Sequence, residues 1–180
     1  MEKKNIVFIA KSLDGYIAGK NGELDWLELI PNPGNIEMGF ADLMQEIDAI
    51  VMGRTTFEVV CKFPGEWPYP KHVFVLSHTL HTVPEELHEK VSLMKGTPQK
   101  ILRKVHEKGY RKLYIDGGTT IQNFLKEDLI DEFRITTIPI VLGGGFPLFG
   151  DLSKPLVYEH VASTVYLDQI VQNIYRRKRT

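Results

Sequence analysis

The 180-residue sequence is poor in cysteine and has no long apolar run, and each shortage excludes a class of protein. Cys61 is the only cysteine, so an internal disulfide and a cysteine-based zinc site are excluded. No stretch approaches the roughly 20 apolar residues of a transmembrane helix, and the apolar residues that follow Met1 are too few for a signal peptide. These shortages predict a protein of the reducing cytoplasm, with no membrane partner.

An excess of one charge and a pattern of metal ligands are also lacking. The formal net charge is −1, from 22 basic and 23 acidic residues, which does not favour a nucleic acid as partner. The basic residues at 176–179 predict a solvated tail, with a phosphate-binding patch as the alternative. The six histidines show no metal-ligand spacing, so no metal is expected.

Short apolar runs alternate with helical patterns over the first two thirds of the chain. Such runs are typical of strands that are buried on both faces. Between them, apolar residues at 40, 43, 44 and 47 predict a helix with one buried stripe, and Thr97-Pro98 predicts a helix start. This alternation predicts a largely parallel sheet with right-handed crossovers. The predicted strands are 5–10, 49–52, 72–76, 91–94 and 112–115.

The last third reads differently, as three strands with no helix between them. They are predicted at 132–141, 156–165 and 169–176, and the last two are close enough for an antiparallel hairpin. Pro139 removes a backbone donor and therefore predicts a bulge or an edge in the first of them. The whole prediction is an α/β protein whose single domain, 1–180, holds a mixed, mostly parallel sheet of about eight strands and about four flanking helices.

Two strand-to-helix junctions carry the most informative chemistry. At the first, Gly53 lets the backbone turn, Arg54 adds a permanent cation, and Thr55 with Glu58 matches a capping box. At the second, two glycines precede Thr119 and Thr120, and a glutamine three residues after Thr119 repeats the capping pattern. Each helix would begin with free N–H groups, which bind phosphate.

Both junctions follow predicted parallel strands, so they are expected at the carboxyl edge of the sheet. An ordinary turn or cap explains either junction taken alone. Together they suit NADPH, which carries a pyrophosphate and a separate 2′-phosphate. No G-x-G-x-x-G follows the first strand and no P-loop motif is present, so an ordinary Rossmann site and a P-loop nucleotidase are disfavoured.

The segment after the first strand, 12–18, contains glycine together with Tyr16 and Ile17, and such a loop can close over a ligand. This Ser-Leu-Asp-Gly-Tyr-Ile-Ala stretch resembles the first loop of the dihydrofolate-reductase-like superfamily. The resemblance is greatest to the branch of the RibD C-terminal (riboflavin-biosynthesis) reductase domains. Three further motifs support it in the same order, at 52–58, 115–119 and 139–145.

The resemblance implies an NADPH-dependent oxidoreductase with a dihydrofolate-reductase-like fold, commonly a homodimer. Arg54 would bind the 2′-phosphate, and Ala10 and Ile17 would border the nicotinamide. The remaining cofactor-binding residues implied by the resemblance are Gly53, Thr55, Leu76, Ser77, His78, Gly117, Gly118, Thr119 and Thr120. The implied substrate-pocket residues are Asp14, Tyr16, Trp26, Gly143, Gly144 and Phe149.

The expected reaction is hydride transfer to a small polar heterocycle of the pterin or ribosylaminopyrimidine type. Folate-reducing members carry a carboxylate on the helix after the first loop, and Asp42 is the candidate for it here. A carboxylate in a first helical turn is also explained by the helix dipole, and Tyr16 or water could supply the proton instead. The alternative function is a non-catalytic NADP(H)-binding or sensing protein.

The segment 63–70 contains three prolines, so it is expected to be rigid and irregular. Trp67 within it is predicted to pack over the edge of the sheet. The alternatives are a position in the pocket or in a dimer contact.

Overall fold

Eight of the ten strands in the computed structural model, which describes residues 2–179, form one sheet. The strands are β1 (Lys4–Lys11), β2 (Tyr16–Ala18), β3 (Ala49–Gly53), β4 (His72–Leu76), β5 (Val91–Met94), β6 (Lys112–Asp116), β7 (Glu132–Thr137), β8 (Phe146–Pro147), β9 (Tyr158–Tyr166) and β10 (Ile170–Arg177). The helices are α1 (Phe40–Glu46), α2 (Arg54–Val60), α3 (Pro98–Glu107) and α4 (Gly118–Lys126), with 3₁₀ turns at Asp25–Glu28 and Glu85–Leu87.

The sheet order is β5-β4-β3-β6-β1-β7-β10-β9. The six strands from β5 to β7 run parallel, and β10 is antiparallel to both β7 and β9. The predicted α/β fold with a mixed sheet and a C-terminal hairpin is therefore confirmed. β3 and β6 are neighbours in register, with Met52 opposite Asp116, so the segments that follow them leave the sheet side by side.

Alternate residues of the strands build separate cores on the two faces of the sheet. On one face, here called the α4 face, Ile101 of α3 and Ile121 of α4 pack on Val51 and Ile115. On the other, the α1 face, helices α1 and α2 cover Ile50, Met52 and Tyr114. Both faces of the parallel part are thus buried, as the continuous apolar runs predicted.

The chain leaves the predicted 132–141 strand earlier than expected. β7 ends at Thr137, two residues before Pro139, because proline has no N–H to continue the ladder. The small second sheet was not predicted, and it joins Tyr16–Ala18 to Phe146–Pro147. A two-residue strand that contains proline carries no periodic signal in the sequence.

The helix starts follow the predicted pattern in one case and not in two others. The Thr97 side chain accepts a hydrogen bond from the Lys100 N–H, which confirms that cap. The capping boxes predicted at Thr55 and Thr119 are wrong, because α2 and α4 begin directly after Gly53 and Gly117, with no side-chain cap. The first-turn N–H groups therefore have no capping side chain.

The basic C-terminal residues are not the solvated tail that was expected. Arg176 and Arg177 belong to β10, and the Arg177 guanidinium binds both oxygens of Asp128, at 2.7 and 2.9 Å. Arg179 pairs with Asp131. These partners lie about 50 residues away in the chain, so the sequence pattern did not reveal them. Within residues 2–179, no helix combines the length and the apolar character needed to cross a bilayer.

Candidate active site at the carboxyl edge of the sheet

The two predicted phosphate junctions contact each other at the carboxyl edge. A Cβ atom on Gly53 would lie 2.8 Å from the Thr120 hydroxyl oxygen, and a Cβ on Gly117 would overlap the Thr56 hydroxyl. Gly117 also has a positive φ of 91°, which favours glycine. The glycines let the two turns approach closely, so that together they form one surface.

The start of α4 offers backbone donors to an anion. The N–H of Gly117 donates to the Asp116 carboxylate at 2.8 Å. The next three N–H groups, of Gly118, Thr119 and Thr120, form no hydrogen bond within residues 2–179. Because first-turn N–H groups lie at the positive end of the helix dipole, this turn can bind a phosphate.

Arg54 provides a cation beside that turn. Its side chain is 48% exposed, and its one ion pair is with Glu58 at 3.6 Å, one helical turn further along α2. An exposed pair of this kind contributes little free energy, so the guanidinium remains available. Thr55 is exposed next to it. A guanidinium can bind a phosphate through two parallel hydrogen bonds.

The segment after β4 leaves the same edge, because β4 is the parallel neighbour of β3. The Ser77 hydroxyl oxygen accepts the N–H groups of Thr79 and Leu80, at 3.1 and 2.8 Å. This orders the turn and leaves the hydroxyl hydrogen free to donate. Leu76 is half-buried and His78 is exposed on either side of it.

Asp14 ties the loop after β1 to the glycine run. The buried Ser12 hydroxyl donates to the Asp14 carboxylate at 2.6 Å and accepts the Tyr16 N–H at 2.9 Å. The same carboxylate accepts the N–H groups of Leu142 (3.1 Å) and Gly143 (2.8 Å). These hydrogen bonds, chiefly that from Ser12, hold the pKa of Asp14 below its usual range. The Asp14 side chain therefore links two loops.

The loop also lies over the α4 turn. A Cβ on Gly118 would come within 2.8 Å of the Ile17 side chain, so Ile17 packs directly on this turn. Gly145 lies so close to the Ala18 carbonyl that no side chain fits there, and Gly144 is similarly close to Lys20. The glycine run thus allows the second sheet to form against the loop.

A buried acid, Asp116, is a candidate functional residue that the sequence analysis did not single out. It ends β6 directly before the Gly117 turn, is 9% exposed, and has no ion pair within residues 2–179. Burial raises its pKa to about 6. Tyr114 lies beside it and donates its hydroxyl to the Phe8 carbonyl at 3.0 Å. A carboxyl with this pKa can exchange a proton near neutral pH.

A row of four half-buried aromatic rings lies on the α1 face near this acid. The aromatic row consists of Phe8, Phe40, Tyr69 and Trp67, with successive ring centroids 5.9, 6.4 and 5.3 Å apart. Burial, and the charge of the nearby Asp116, raise the pKa of Tyr69 well above its usual range. The 63–70 segment therefore brings Trp67 to this row.

Comparison with known proteins supports the resemblance found in the motifs. The family model of the RibD C-terminal domain matches residues 3–171. The chain belongs to this family. YwjB of Bacillus subtilis (strain 168) is 38% identical over 156 residues, which cover 86% of this chain and 87% of YwjB. A Shewanella sp. PV-4 protein named for riboflavin biosynthesis has a crystal structure that is 55% identical, with a TM-score of 0.95, covering 98% of this chain and 99% of that one.

The RibD C-terminal fold is dihydrofolate-reductase-like. A dihydrofolate reductase from Enterococcus faecalis, solved with NADP(H), aligns with a TM-score of 0.67 over 98% of this chain and 97% of its own. The identity is 19%, so the likeness concerns the fold alone. The predicted family and fold are both confirmed, and the family match supports a reductase-type role.

Three predicted residues of this RibD C-terminal domain have surroundings that do not include the turns at Gly53 and Gly117. Trp26 is 6% exposed, packs with Ile138, Ile170 and Ala10, and donates its indole N–H to a backbone carbonyl at 3.1 Å. Phe149 lines a separate cavity of about 550 Å³ on the α4 face. Asp42 is exposed on α1 and forms no hydrogen bond or ion pair within residues 2–179.

Proposed function

We propose that the protein is an NADPH-dependent reductase that transfers hydride to a small polar heterocycle of the pterin or ribosylaminopyrimidine type. The main support is the contact between the Gly53 and Gly117 turns, because Arg54 directly follows the first turn and the three free backbone donors of α4 directly follow the second. NADPH carries two phosphate groups of different kinds, and these turns offer two different kinds of anion binding. The residues present therefore fit this cofactor.

Each part of the edge has a proposed role in binding NADPH, which supplies the hydride when bound. Arg54, with Gly53 and Thr55, binds the 2′-phosphate, and the start of α4 binds the pyrophosphate. Ala10 and Ile17 border the nicotinamide. The residues proposed to line the adenosine are Leu76, Ser77 and His78, in the turn after β4. The residues proposed for the pyrophosphate are Gly117, Gly118, Thr119 and Thr120.

The loop after β1 is proposed to exclude water from the reacting atoms. Asp14 binds backbone N–H groups of the glycine run, so the two loops move together. Tyr16, Gly143 and Gly144 lie in these linked loops and are proposed to border the substrate. A dry, fixed geometry supports hydride transfer, which needs the reacting atoms to be about 3–3.5 Å apart.

Reduction also requires a proton, and Asp116 is proposed to hold it. Its carboxyl is buried beside the cofactor turns, and its pKa of about 6 keeps part of the population protonated near neutral pH. The hydride goes to the acceptor carbon and the proton goes to the atom bonded to that carbon. Asp42 remains the alternative donor, although it is exposed and unpaired in the described residues.

We also propose a cytoplasmic homodimer. Cys61 is exposed and free, a state that a reducing compartment maintains. Among the residues that line the cavity on the α4 face, the apolar side chains of Phe149 (48%) and Leu152 (39%) are exposed. Such a surface is typical of an interface. Light scattering of the purified protein tests the homodimer. A protein that remains monomeric at roughly 50 μM, a concentration at which even a weak, transient dimer would form, would contradict it.

The decisive experiment is a titration with NADPH followed by nicotinamide fluorescence. Arg54→Ala should weaken NADPH about 10–100-fold, the value of one or two charge-assisted hydrogen bonds, and should change NADH binding by less than about twofold. Arg103→Ala is the matched control, since Arg103 forms the same exposed i,i+4 pair with Glu107. Absence of saturable binding at millimolar NADPH contradicts the proposal, and equal losses for both cofactors contradict the role of Arg54.

Turnover distinguishes an enzyme from a sensor. The protein is incubated with NADPH and a panel of pterins and ribosylaminopyrimidines, and absorbance at the nicotinamide band is followed. Oxidation with any member supports the reductase. Tight NADPH binding without oxidation supports the non-catalytic alternative.

A further inference from the structure

Trp67 has a polar atom that the fold leaves unused. Its indole nitrogen is buried, and no acceptor for its N–H lies within residues 2–179. A buried donor without a partner destabilises the folded protein, because the N–H has lost its hydrogen bond to water and gained none in return. The other tryptophan, Trp26, donates its N–H to the Glu23 carbonyl at 3.1 Å. The Trp26 indole N–H is therefore used in a hydrogen bond within the fold, whereas the Trp67 indole N–H remains free to donate.

The aromatic row is placed next to the cofactor turns. Trp67 contacts Phe57 edge-on, with ring centroids 5.8 Å apart, and Phe57 follows Thr56 in α2. The Thr56 hydroxyl in turn lies against Gly117. Trp67 therefore packs on α2, the helix whose Thr56 side chain contacts the Gly117 turn.

The row suits an uncharged planar ring. Phe40 and Tyr69 are half-buried and can pack against the flat face of a heterocycle. The cations that reach α1, Lys4 and Arg134, are both paired with Glu46. Among the described residues, the row therefore offers no free cation that could bind an anionic substituent of the ring. The polar groups in and beside the row are the Trp67 indole N–H, the Tyr69 phenol and the Asp116 carboxyl.

We propose that Trp67 is a specificity-determining residue, whose indole N–H donates a hydrogen bond to a ring carbonyl of the substrate while Phe40 and Tyr69 pack against the ring. The inference rests on the proposed reductase function and makes it more specific. It names the preferred substrate as an uncharged planar lactam, with the carbonyl directed to Trp67. An otherwise equal ring without the carbonyl would leave the indole unpaired and would bind more weakly.

The test compares two fragments on ¹⁵N-labelled protein saturated with NADP⁺, so that no turnover occurs. 2-Aminopyrimidin-4-one has a ring carbonyl and the lactam N–H that accompanies it, and 2-aminopyrimidine has neither, so the Trp67 variant is needed to assign the preference to the carbonyl. We expect wild-type protein to bind the first about tenfold more tightly, since one neutral hydrogen bond contributes up to about 1.5 kcal/mol. The Trp67 indole N–H resonance should move downfield with the first fragment and remain unmoved with the second.

Two variants assign the preference to one indole. Trp67→Phe keeps the aromatic ring and removes the donor, so its preference should fall below about twofold. Trp26→Phe should keep the tenfold preference, and it leaves a single indole resonance, that of Trp67. If Trp67→Phe does not fold, the shift of this single resonance in Trp26→Phe decides the question.

The outcomes separate this inference from the proposed function. Preference that persists in Trp67→Phe, or a Trp67 resonance that does not move, overturns the inference. Normal NADPH binding without any preference in wild-type protein overturns the inference alone. Loss of all NADPH and NADP⁺ binding overturns the reductase proposal, and the inference with it.

Discussion

The two edges of the sheet use charge in opposite ways. At the amino edge, the buried Glu132 contacts Lys4 and Arg134, each at 2.8 Å, and Arg177 is bound by Asp128. At the carboxyl edge, the buried Asp116 has no cationic partner among residues 2–179, and the partner of Arg54 in this range, Glu58, is exposed and 3.6 Å away. Charged groups at the amino edge are paired with each other within the fold, whereas those at the carboxyl edge remain available to bind a ligand.

The amino edge also holds the helices and connections in place. Burial raises the pKa of Glu46, but hydrogen bonds from Arg134 and Lys4 outweigh this, and the pKa lies below its usual range. These contacts attach the end of α1 to the sheet. Asp48 accepts the N–H groups of Arg111 and Lys112 at 2.7 and 2.8 Å. Natural proteins depart from full pairing mainly at functional sites, which favours the carboxyl edge as the site.

The largest expected effect is at the amino edge. Glu132→Gln removes one of the two carboxylates that pair with Lys4 and Arg134 and leaves Glu46 alone to both cations. Because Glu132 is 2% exposed, we expect a loss of about 4 kcal/mol in unfolding free energy. Urea denaturation measures it. Glu107→Gln, which breaks an exposed pair, should cost less than about 0.5 kcal/mol. Similar losses in both variants would show that the buried network is no more important than a surface pair.

Asp116→Asn should raise the free energy of unfolding, whereas Glu132→Gln should lower it. The pKa of Asp116 is about 6 in the folded protein and 3.8 ordinarily, so the folded state prefers the protonated form. The contribution of Asp116 to the free energy of unfolding is most favourable below pH 3.8. It becomes less favourable by about 3 kcal/mol as the pH rises through 6, because the buried carboxyl must then ionise. Asparagine has no such loss. The variant should therefore gain stability relative to wild type between pH 4 and pH 7, while NADPH oxidation falls.

Urea denaturation of the wild-type protein and of Asp116→Asn at several pH values shows whether the variant gains stability relative to wild type as the pH rises. The comparison is made as a difference, because the carboxylates of lowered pKa, such as Glu46 and Asp48, destabilise both proteins equally in acid. Tyr69 and Tyr114, which face Asp116, stay neutral over this range because burial raises the pKa of each. A difference that does not change with pH would mean that Asp116 is charged at both ends of the range.

The smallest effect is expected in the loops of the carboxyl edge. Asp14→Ala removes the acceptor of the Leu142 and Gly143 N–H groups, so hydrogen exchange at these two amides should quicken about tenfold. Asp25→Ala is the control, because Asp25 is exposed at the start of a 3₁₀ turn. Unchanged exchange in Asp14→Ala would mean that the glycine run is held by its contacts with Ala18 and Lys20 instead.

Local signals explain which parts were predictable. The strand-to-helix junctions at Gly53 and Gly117 were found because buried runs, glycines and helix starts follow each other within a few residues. The capping boxes failed because a glycine takes the cap position in both helices, so Thr55 and Thr119 lie inside the first turn. Asp116 was visible only as a carboxylate at the end of an apolar strand, a signal that has no meaning until its neighbours are known.

The sequence alone determined the family, the eight strands of the main sheet and the two glycine junctions, because these depend on residues close together in the chain. Only the tertiary structure decided which polar groups meet. The bond between Arg177 and Asp128 spans 49 residues, and the burial that raises the pKa of Asp116 depends on packing from distant segments. Burial and pairing fix the free energy of a charge, and both are properties of the folded chain.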